Sequence, residues 1–492
     1  MQTIDLIIFT VFTLGVVVFG CSFFHKGSTA DEFTRAGRSL PGWVVGMSIF
    51  ATYVSSISYI GYPGKAFASN WNAFVFSISI PVASYFAAKY FVPFYRHGGS
   101  VSAYSFLEEK FGRWARFYAS ACYLLTQIAR MGSIMYLLAM PMHILMGWDM
   151  VTIIIATSIG IILYSMLGGL KAVIWADAIQ GIILIGGALL CLGILMFSMP
   201  EGPGQVFELA AQAPDGNKFS LGSFGSDLTT STFWVCLIYG IFINLQNYGI
   251  DQNYVQRYLA AKTDKDARFS ALFGGYLFIP VSALFFLIGS ALYSYYTSGT
   301  APLPAEIQAK PDYVFPYFIV NGLPVGLRGL LIASIFAAGM STVSTSVTSA
   351  ATVILTDYVN KKHPASTTGD DRRGLFVLRL SSVIVGVLGI IVAILMLGVK
   401  SIIDSWWILS SIFSGGMLGL FLLGIMPRRI SRMAALIGCI AGIIVIAWIS
   451  LAGVWNLPGP HLHEYLAIVL GTTTIFLVGF LATLLLQNKR QK

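Results

Sequence analysis

Arg130 stands between Ile128, Ala129 and Met131 in the middle of a long apolar segment, far from either end. A guanidinium cannot discharge there and needs an anion or several acceptors. It can grip a carboxylate in a two-pronged pair, or it can be spent on helix carbonyls or a buried acid such as Asp404. Asp177 lies four residues into another apolar segment, where an acid is costly unless it is paired, ion-binding or near the interface. Three further segments carry polar or glycine-rich interruptions. One runs Phe50-Ala51-Thr52-Tyr53-Val54-Ser55-Ser56-Ile57-Ser58 and on to Gly61, Pro63 and Gly64. A second runs from Asn244 to Asn253, and a third is Ser341-Thr342-Val343-Ser344-Thr345-Ser346 after Ala337-Ala338-Gly339. Such runs persist in lipid only where they face protein or a water-filled cavity. Their chemistry is binding: the chain carries no HExxH, GxSxG or P-loop pattern for catalysis and no filter-like loop or ring of charges for a channel. His461 and His463 read as a solvated loop pair. The five cysteines, odd in number and without CxxC spacing, read as small apolar residues in or beside the spans.

The elements that must position these groups follow from composition. Of 492 residues 56% are hydrophobic and only 10% charged, and the mean hydropathy is +0.77, so the solvent for most of the chain is lipid. A bilayer core takes about 20 apolar residues per helix. Thirteen segments of that kind are predicted, at 3–23, 43–66, 71–94, 114–146, 150–168, 173–198, 231–258, 267–296, 326–359, 374–398, 402–426, 431–454 and 464–487. Continuous runs of this length indicate helices rather than the short alternating strands of a barrel, so the expected fold class is an all-α polytopic membrane protein. With the N-terminus outside, the inner loops take Lys26, Arg35, Arg38, the cations at 96–116, Lys171, Arg257, and the groups at 262–268, 361–373, 428–432 and 489–492. The outer loops hold only Lys65, Lys218, Lys310, Arg328 and Lys400. This bias predicts an N-out, C-in topology. It also explains the net charge of +9 without a nucleic-acid partner. The first segment, with Asp5 and no basic n-region, reads as a retained helix.

The first two interruptions lie five spans apart, so 43–198 and 231–426 would each open with a broken helix, and an odd number of spans inverts the second set. That is the inverted-repeat plan of many secondary transporters, in which freed carbonyls coordinate ions and half-helix N-termini face the solute. The extra helices are then 3–23 and the pair in 431–487. Packing seams lined by small residues are the alternative origin of the breaks.

The motifs themselves resemble a family. Asp31-Glu32-Phe33 with Ala36-Gly37-Arg38-Ser39-Leu40 and Trp43, Gly168-Gly169 with Trp175-Ala176-Asp177-Ala178-Ile179-Gln180, Asp251-Gln252 with Val255-Gln256-Arg257, and Phe336-Ala337-Ala338 before the Ser/Thr run resemble the sodium:solute symporter family, over roughly residues 31–346 and in its order. The resemblance implies a LeuT-like five-plus-five fold, Na+ as the coupling ion and alternating access by a carrier working as a monomer in the lipid bilayer. Sodium wants a few hard oxygens of low net charge. The resemblance places a principal sodium site on the carbonyls of Ala51, Val54 and Ala338 and the hydroxyls of Ser341 and Thr342. It further implies a second site on Asp177, Ser341, Ser344 and Thr345, the hydroxyls sharing one helix face by their i, i+3 and i, i+4 spacing.

The solute is expected to be a small organic molecule. The chain looks closest to the branch with bacterial sialic acid symporters, which place an Arg like Arg130 against the substrate carboxylate. The sugar-carrying branch typically has a carboxylate in the helix after the first break and an aromatic gate three residues beyond the Asn of the second. Here 71–94 has no Asp or Glu and the gate position is Asn247, followed by Tyr248. Polyhydroxylated groups would be held by Tyr53, Ser55, Ser58, Ser77, Asn244 and Asn247. Tyr53 and Ser77 depart from the hydroxylic residue and amide of the sialic-acid-like pattern. A neutral sugar or a monocarboxylate is the other solute class.

Overall fold

The computed structural model describes residues 3–24, 29–359, 371–399, 402–452 and 462–488. Lys26, Lys400, His461, the cations at 361–362 and 489–492, and the side chain of Asp404 lie outside the described residues. The described elements are helical, and ten helices are long and apolar enough to cross a membrane, with two further bent pairs. One of the ten, Met150–Phe197, has 48 residues and a non-helical Gly169 (φ 59°, ψ −162°). At 1.5 Å per residue it would span about 70 Å, over twice a bilayer core, so Gly169 divides it into two crossings. With that division and each bent pair taken as one span, the described residues hold up to thirteen candidate crossings by length and composition.

Position in the bundle follows from how much of each helix is covered. In its most apolar stretch Leu327–Val359 is 94% buried and Thr3–Ser22 only 17%, so the Ser/Thr-rich helix is the central post and the first helix a peripheral one. Leu327–Val353 packs on Met150–Phe197, Arg113–Met146 and both halves of the first broken helix. The sequence reading groups this helix with the interrupted segments. The structure corrects that: it runs unbroken through Ser341–Ser346, because Thr342, Thr348 and Thr352 each donate to the carbonyl four residues back (3.1, 2.6 and 2.9 Å). Back-bonding of this kind satisfies hydroxyls without opening the helix.

The true breaks lie elsewhere. Gly42–Tyr53 and Ser56–Ala68 meet at 52°, and Phe233–Ile250 gives way to Gln252–Ala260 at Asp251. A third break, unmarked in the sequence reading, separates Ile402–Phe413 from Met417–Ile425 at Gly415 and Gly416, whose φ values of 58° and 68° favour glycine. The Tyr118 hydroxyl donates to the Gly415 carbonyl that this turn frees.

One of the expected surface groups is internal: Lys218 is 1% exposed and bonds Asp215 at 2.6 Å. His463 is partly exposed and lies edge-on against the Tyr465 ring with centroids 4.2 Å apart. All five cysteines are free thiols, three of them buried.

Candidate functional site

The first break is built by residues that stop one helix and start another. Helical bonding ends with the Val54 N–H on the Phe50 carbonyl (2.9 Å), Val54 turns extended (φ −78°, ψ 104°), and Ser55 Oγ accepts the Ile57 N–H (3.2 Å) to cap the second half. Carbonyls from Ala51 onward thereby lose their helical partners, and the positive N-terminal end of Ser56–Ala68 opens at the same place. Arg130 Nη2 donates to one of the freed carbonyls, Thr52 O, at 2.6 Å. The second break is capped by its own acid: Asp251 Oδ1 accepts the Asn253 N–H at 2.7 Å.

Both breaks open on one cavity of about 740 Å3, counting the solvent at its opening. Arg130, Tyr53, Ser55, Ser58 and Asn247 line it, five of the seven solute residues expected from sequence. The other two do not. Ser77 is buried against Ser282 Oγ at 2.7 Å, a bond that ties two helices together. Asn244 stands behind Tyr53, accepting from its hydroxyl and donating to Ser79 Oγ (2.8 Å) and the Phe76 carbonyl (3.3 Å). Tyr53 is a wall as much as a ligand. Its ring stacks on Tyr248 and meets Phe278 edge-on, and its hydroxyl also accepts from Asn247 Nδ2 at 3.3 Å.

The cavity adds groups the sequence reading passes over. Thr126 and Gln127 lie one turn before Arg130 and line the same space; their i−4 and i−3 spacing was the available signal. Gln246 lines it with a buried Oε1 that has no hydrogen bond. Trp406, Trp407 and Ser410 arrive from Ile402–Phe413, a segment whose sequence gave no sign of facing the breaks. Arg130 is half-buried, donates to Thr52 O, and stands beside the Tyr254 hydroxyl and within electrostatic range of Asp251. Most of its five donors are therefore available to a ligand.

Beside the cavity the sodium ligands expected from sequence lie on the first broken helix and the central post, two elements that pack together. Thr342 Oγ1 and Ala338 O are 3.1 Å apart, a separation that also suits two oxygens on one cation. Ala51, Val54 and Ala338 belong to one packed core. Ser341 Oγ and Asp177 Oδ1 are buried neighbours, close enough for the hydroxyl to act on the carboxylate, and neither makes a hydrogen bond of normal geometry among the described residues. Orphaned hard oxygens of this kind cost free energy unless a ligand satisfies them, so the donor set fits a small hard cation. Ser344 Oγ is back-bonded to Ser341 O (2.9 Å), and Thr345 Oγ1 meets Thr52 Oγ1 at 3.3 Å.

Asp177 Oδ2 has another partner, and here the sequence reading is corrected. Arg257, counted among the inner-loop cations, is 0% exposed and pairs with Asp177 at 2.7 Å. It is internal because Gln252–Ala260 continues the second broken helix into the protein with every residue buried. Asp177 Oδ2 thus holds Arg257 and Ser48, while Oδ1 lies beside Ser341 with no hydrogen bond of normal geometry among the described residues.

The sequence profile of the Sodium:solute symporter family matches residues 33–442. The sodium/sialic acid symporter SiaT of Proteus mirabilis is 32% identical over 482 residues, covering 97% of this chain and 94% of the relative. NanT, the sodium/sialic acid symporter of Aliivibrio fischeri, is 30% identical over 494 residues, 99% of this chain and 94% of the relative. The solved structure of a Na+-coupled sialic acid symporter, substrate-bound and outward-open, superposes with a TM-score of 0.89 at 30% identity over 98% of each chain. The five-plus-five LeuT-like fold expected from the breaks stands on that likeness, and the chain belongs to the sodium:solute symporter family.

Proposed function

We propose that this protein is a sodium-coupled symporter that imports sialic acid or a closely related carboxylated sugar across the bacterial inner membrane by alternating access. The observation that carries the solute is Arg130. It reaches a cavity at the positive end of a half-helix with donors to spare, which is an arrangement for a carboxylate. Asp251 caps the other half-helix and cancels the second positive end, so the anion is drawn toward the first break. Ser55, Ser58, Asn247 and Gln246 supply polar groups for hydroxyls, and the faces of Trp406 and Trp407 suit the apolar side of a sugar ring.

Sodium binds between the first break and the central post, at the carbonyls of Ala51, Val54 and Ala338 with Ser341 and Thr342. A second ion takes Asp177 Oδ1 with Ser341, Ser344 and Thr345. Both ions pin Gly42–Tyr53 against Leu327–Val353, and the same helix carries Tyr53 into the cavity, so sodium favours the state that accepts solute. One bundle then rocks against the rest, with 43–198 and 231–426 as the two inverted halves, N-terminus outside and C-terminus inside, each monomer a complete carrier.

Sodium-gradient uptake into proteoliposomes with labelled sialic acid, glucose, proline and a monocarboxylate tests this. Sialic acid is expected to accumulate only with inward sodium, and Arg130→Ala to weaken that uptake about ten- to a hundredfold in half-saturation. Preference for glucose, or sialic acid uptake untouched by that substitution, would remove Arg130 from the site.

A further inference from the structure

The two buried charges beneath the cavity share one carboxylate. Asp177 Oδ2 accepts from Arg257 Nη2 at 2.7 Å and from Ser48 Oγ at 2.5 Å. Arg257 spends its remaining donors on Ser48 Oγ (Nε, 2.7 Å), the Asn253 carbonyl (Nη1, 2.8 Å) and Thr345 Oγ1 (Nη2, 2.5 Å). Thr345 is one of the hydroxyls assigned to the second sodium, so the guanidinium reaches into that ion's ligand set. Asp177 Oδ1 and Ser341 Oγ, on the unpaired side, are left open.

Asp177 and Arg257 sum to zero charge, and both are fully shielded from water. A sodium ion arriving at Oδ1 makes the cluster net positive with two cations on one carboxylate, a few ångströms apart. Coulomb repulsion at that range, even at an effective dielectric near 20, lowers affinity by roughly ten- to a hundredfold or more. A bare buried carboxylate would hold the ion far more tightly and release it slowly on the sodium-poor side.

We propose that Arg257 sets the sodium affinity of the Asp177 site, acting as a fixed counter-cation that shares the carboxylate and keeps the ion weakly enough bound to be released inward. The inference rests on the reading of Asp177 as a sodium ligand. Arg257 touches neither solute nor ion and acts through Asp177, so it is a positioning residue.

The test uses the full-length protein in proteoliposomes, with sodium titrations of uptake beside thermal unfolding in KCl and in NaCl. Arg257→Gln is expected to lower the sodium concentration for half-maximal uptake at least tenfold, and Arg257→Lys, which keeps the charge, to stay within about threefold of the parent. Asp177→Asn leaves an unpaired cation beside the principal site and is expected to raise half-saturation at least tenfold. The double variant Asp177→Asn/Arg257→Gln removes both charges together and is expected to return it to within about threefold, with a reduced Hill coefficient. That double variant also carries the test if Arg257→Gln alone does not fold, since removing both partners spares the protein an unpaired buried charge. Half-saturation unchanged or raised in Arg257→Gln, or a double variant as weak as Asp177→Asn, overturns the proposal. A purely structural Arg257 would shift unfolding in KCl and leave sodium half-saturation alone. If Asp177→Asn changes neither Hill coefficient nor transported charge, the sodium reading of Asp177 itself falls.

Discussion

Two arginines lie inside this bundle and they are built for opposite ends. Arg257 makes four hydrogen-bonded contacts and an ion pair and has no exposed surface. Arg130 is half-buried and makes one hydrogen bond to a freed carbonyl. A saturated buried cation is part of the fold, whereas an unsaturated one beside a cavity is a cost that a ligand repays. Substitutions at Arg257 should therefore fall on stability and on sodium, and substitutions at Arg130 on solute.

The largest expected effect breaks that comparison at the saturated end. Arg257→Ala strands Asp177 and should cost about 3–5 kcal/mol of stability, the usual result of removing one partner of a buried pair, seen as a large fall in thermal midpoint without solute or sodium. Arg130→Ala should cost about 1 kcal/mol or less, since it gives up one carbonyl bond. Equal midpoints for the two variants would dissolve the distinction.

The next effect is on solute. Arg130→Ala should weaken half-saturation by sialic acid about ten- to a hundredfold, the range for a lost hydrogen bond to a charged group. Arg130→Lys should recover part of it, because a point charge keeps the attraction but loses the fork. Full recovery by lysine would mean that charge alone, without two-pronged geometry, holds the carboxylate.

The two arginines also mark what a sequence can carry. Arg130 was legible because it falls at the centre of an apolar run, where no loop can excuse it. Arg257 was misread because it comes near the end of its segment, just where inner loops are rich in cations. Only the inward path of Gln252–Ala260, set by packing against several distant helices, reveals that it is buried. The breaks at Val54 and Asp251 were visible as polar runs flanked by capping residues. The one at Gly415–Gly416 was hidden because two glycines in a small-residue stretch look the same in a straight helix and a broken one. The Ser/Thr run misled in the reverse direction: polarity suggested an interruption, and back-bonding to the preceding turn kept the helix whole. Ser77 and Ser58 are equally polar in sequence, and only the neighbouring helix decides that one bonds Ser282 and the other meets the cavity.

A smaller effect sharpens the comparison on the cation side. Ser341 Oγ is buried and without a hydrogen bond, so Ser341→Ala removes an unsatisfied group and should leave stability in KCl unchanged or slightly raised. The same change takes a ligand from the proposed sodium site and should raise sodium half-saturation about tenfold. Thr342→Ala should do the same to sodium while also losing its back-bond to Ala338, a few tenths of a kcal/mol in KCl. A Ser341→Ala protein that is destabilised without sodium would show that the hydroxyl has a structural partner after all.

The smallest predicted effect turns on position relative to the cavity. Gln246 and Ser77 are both buried polar residues near the second break, but Gln246 lines the solute space with an unsatisfied oxygen, while Ser77 faces Ser282. Gln246→Ala should raise solute half-saturation about three- to tenfold, the worth of one neutral hydrogen bond, with sodium half-saturation unmoved at saturating solute. Ser77→Ala should change solute half-saturation by less than about twofold and lower the thermal midpoint instead, since it leaves Ser282 without its partner. If the order were reversed, with Ser77 governing solute and Gln246 governing stability, the solute would have to sit past Phe76 against Ser77 and Ser282, away from the lining around Arg130.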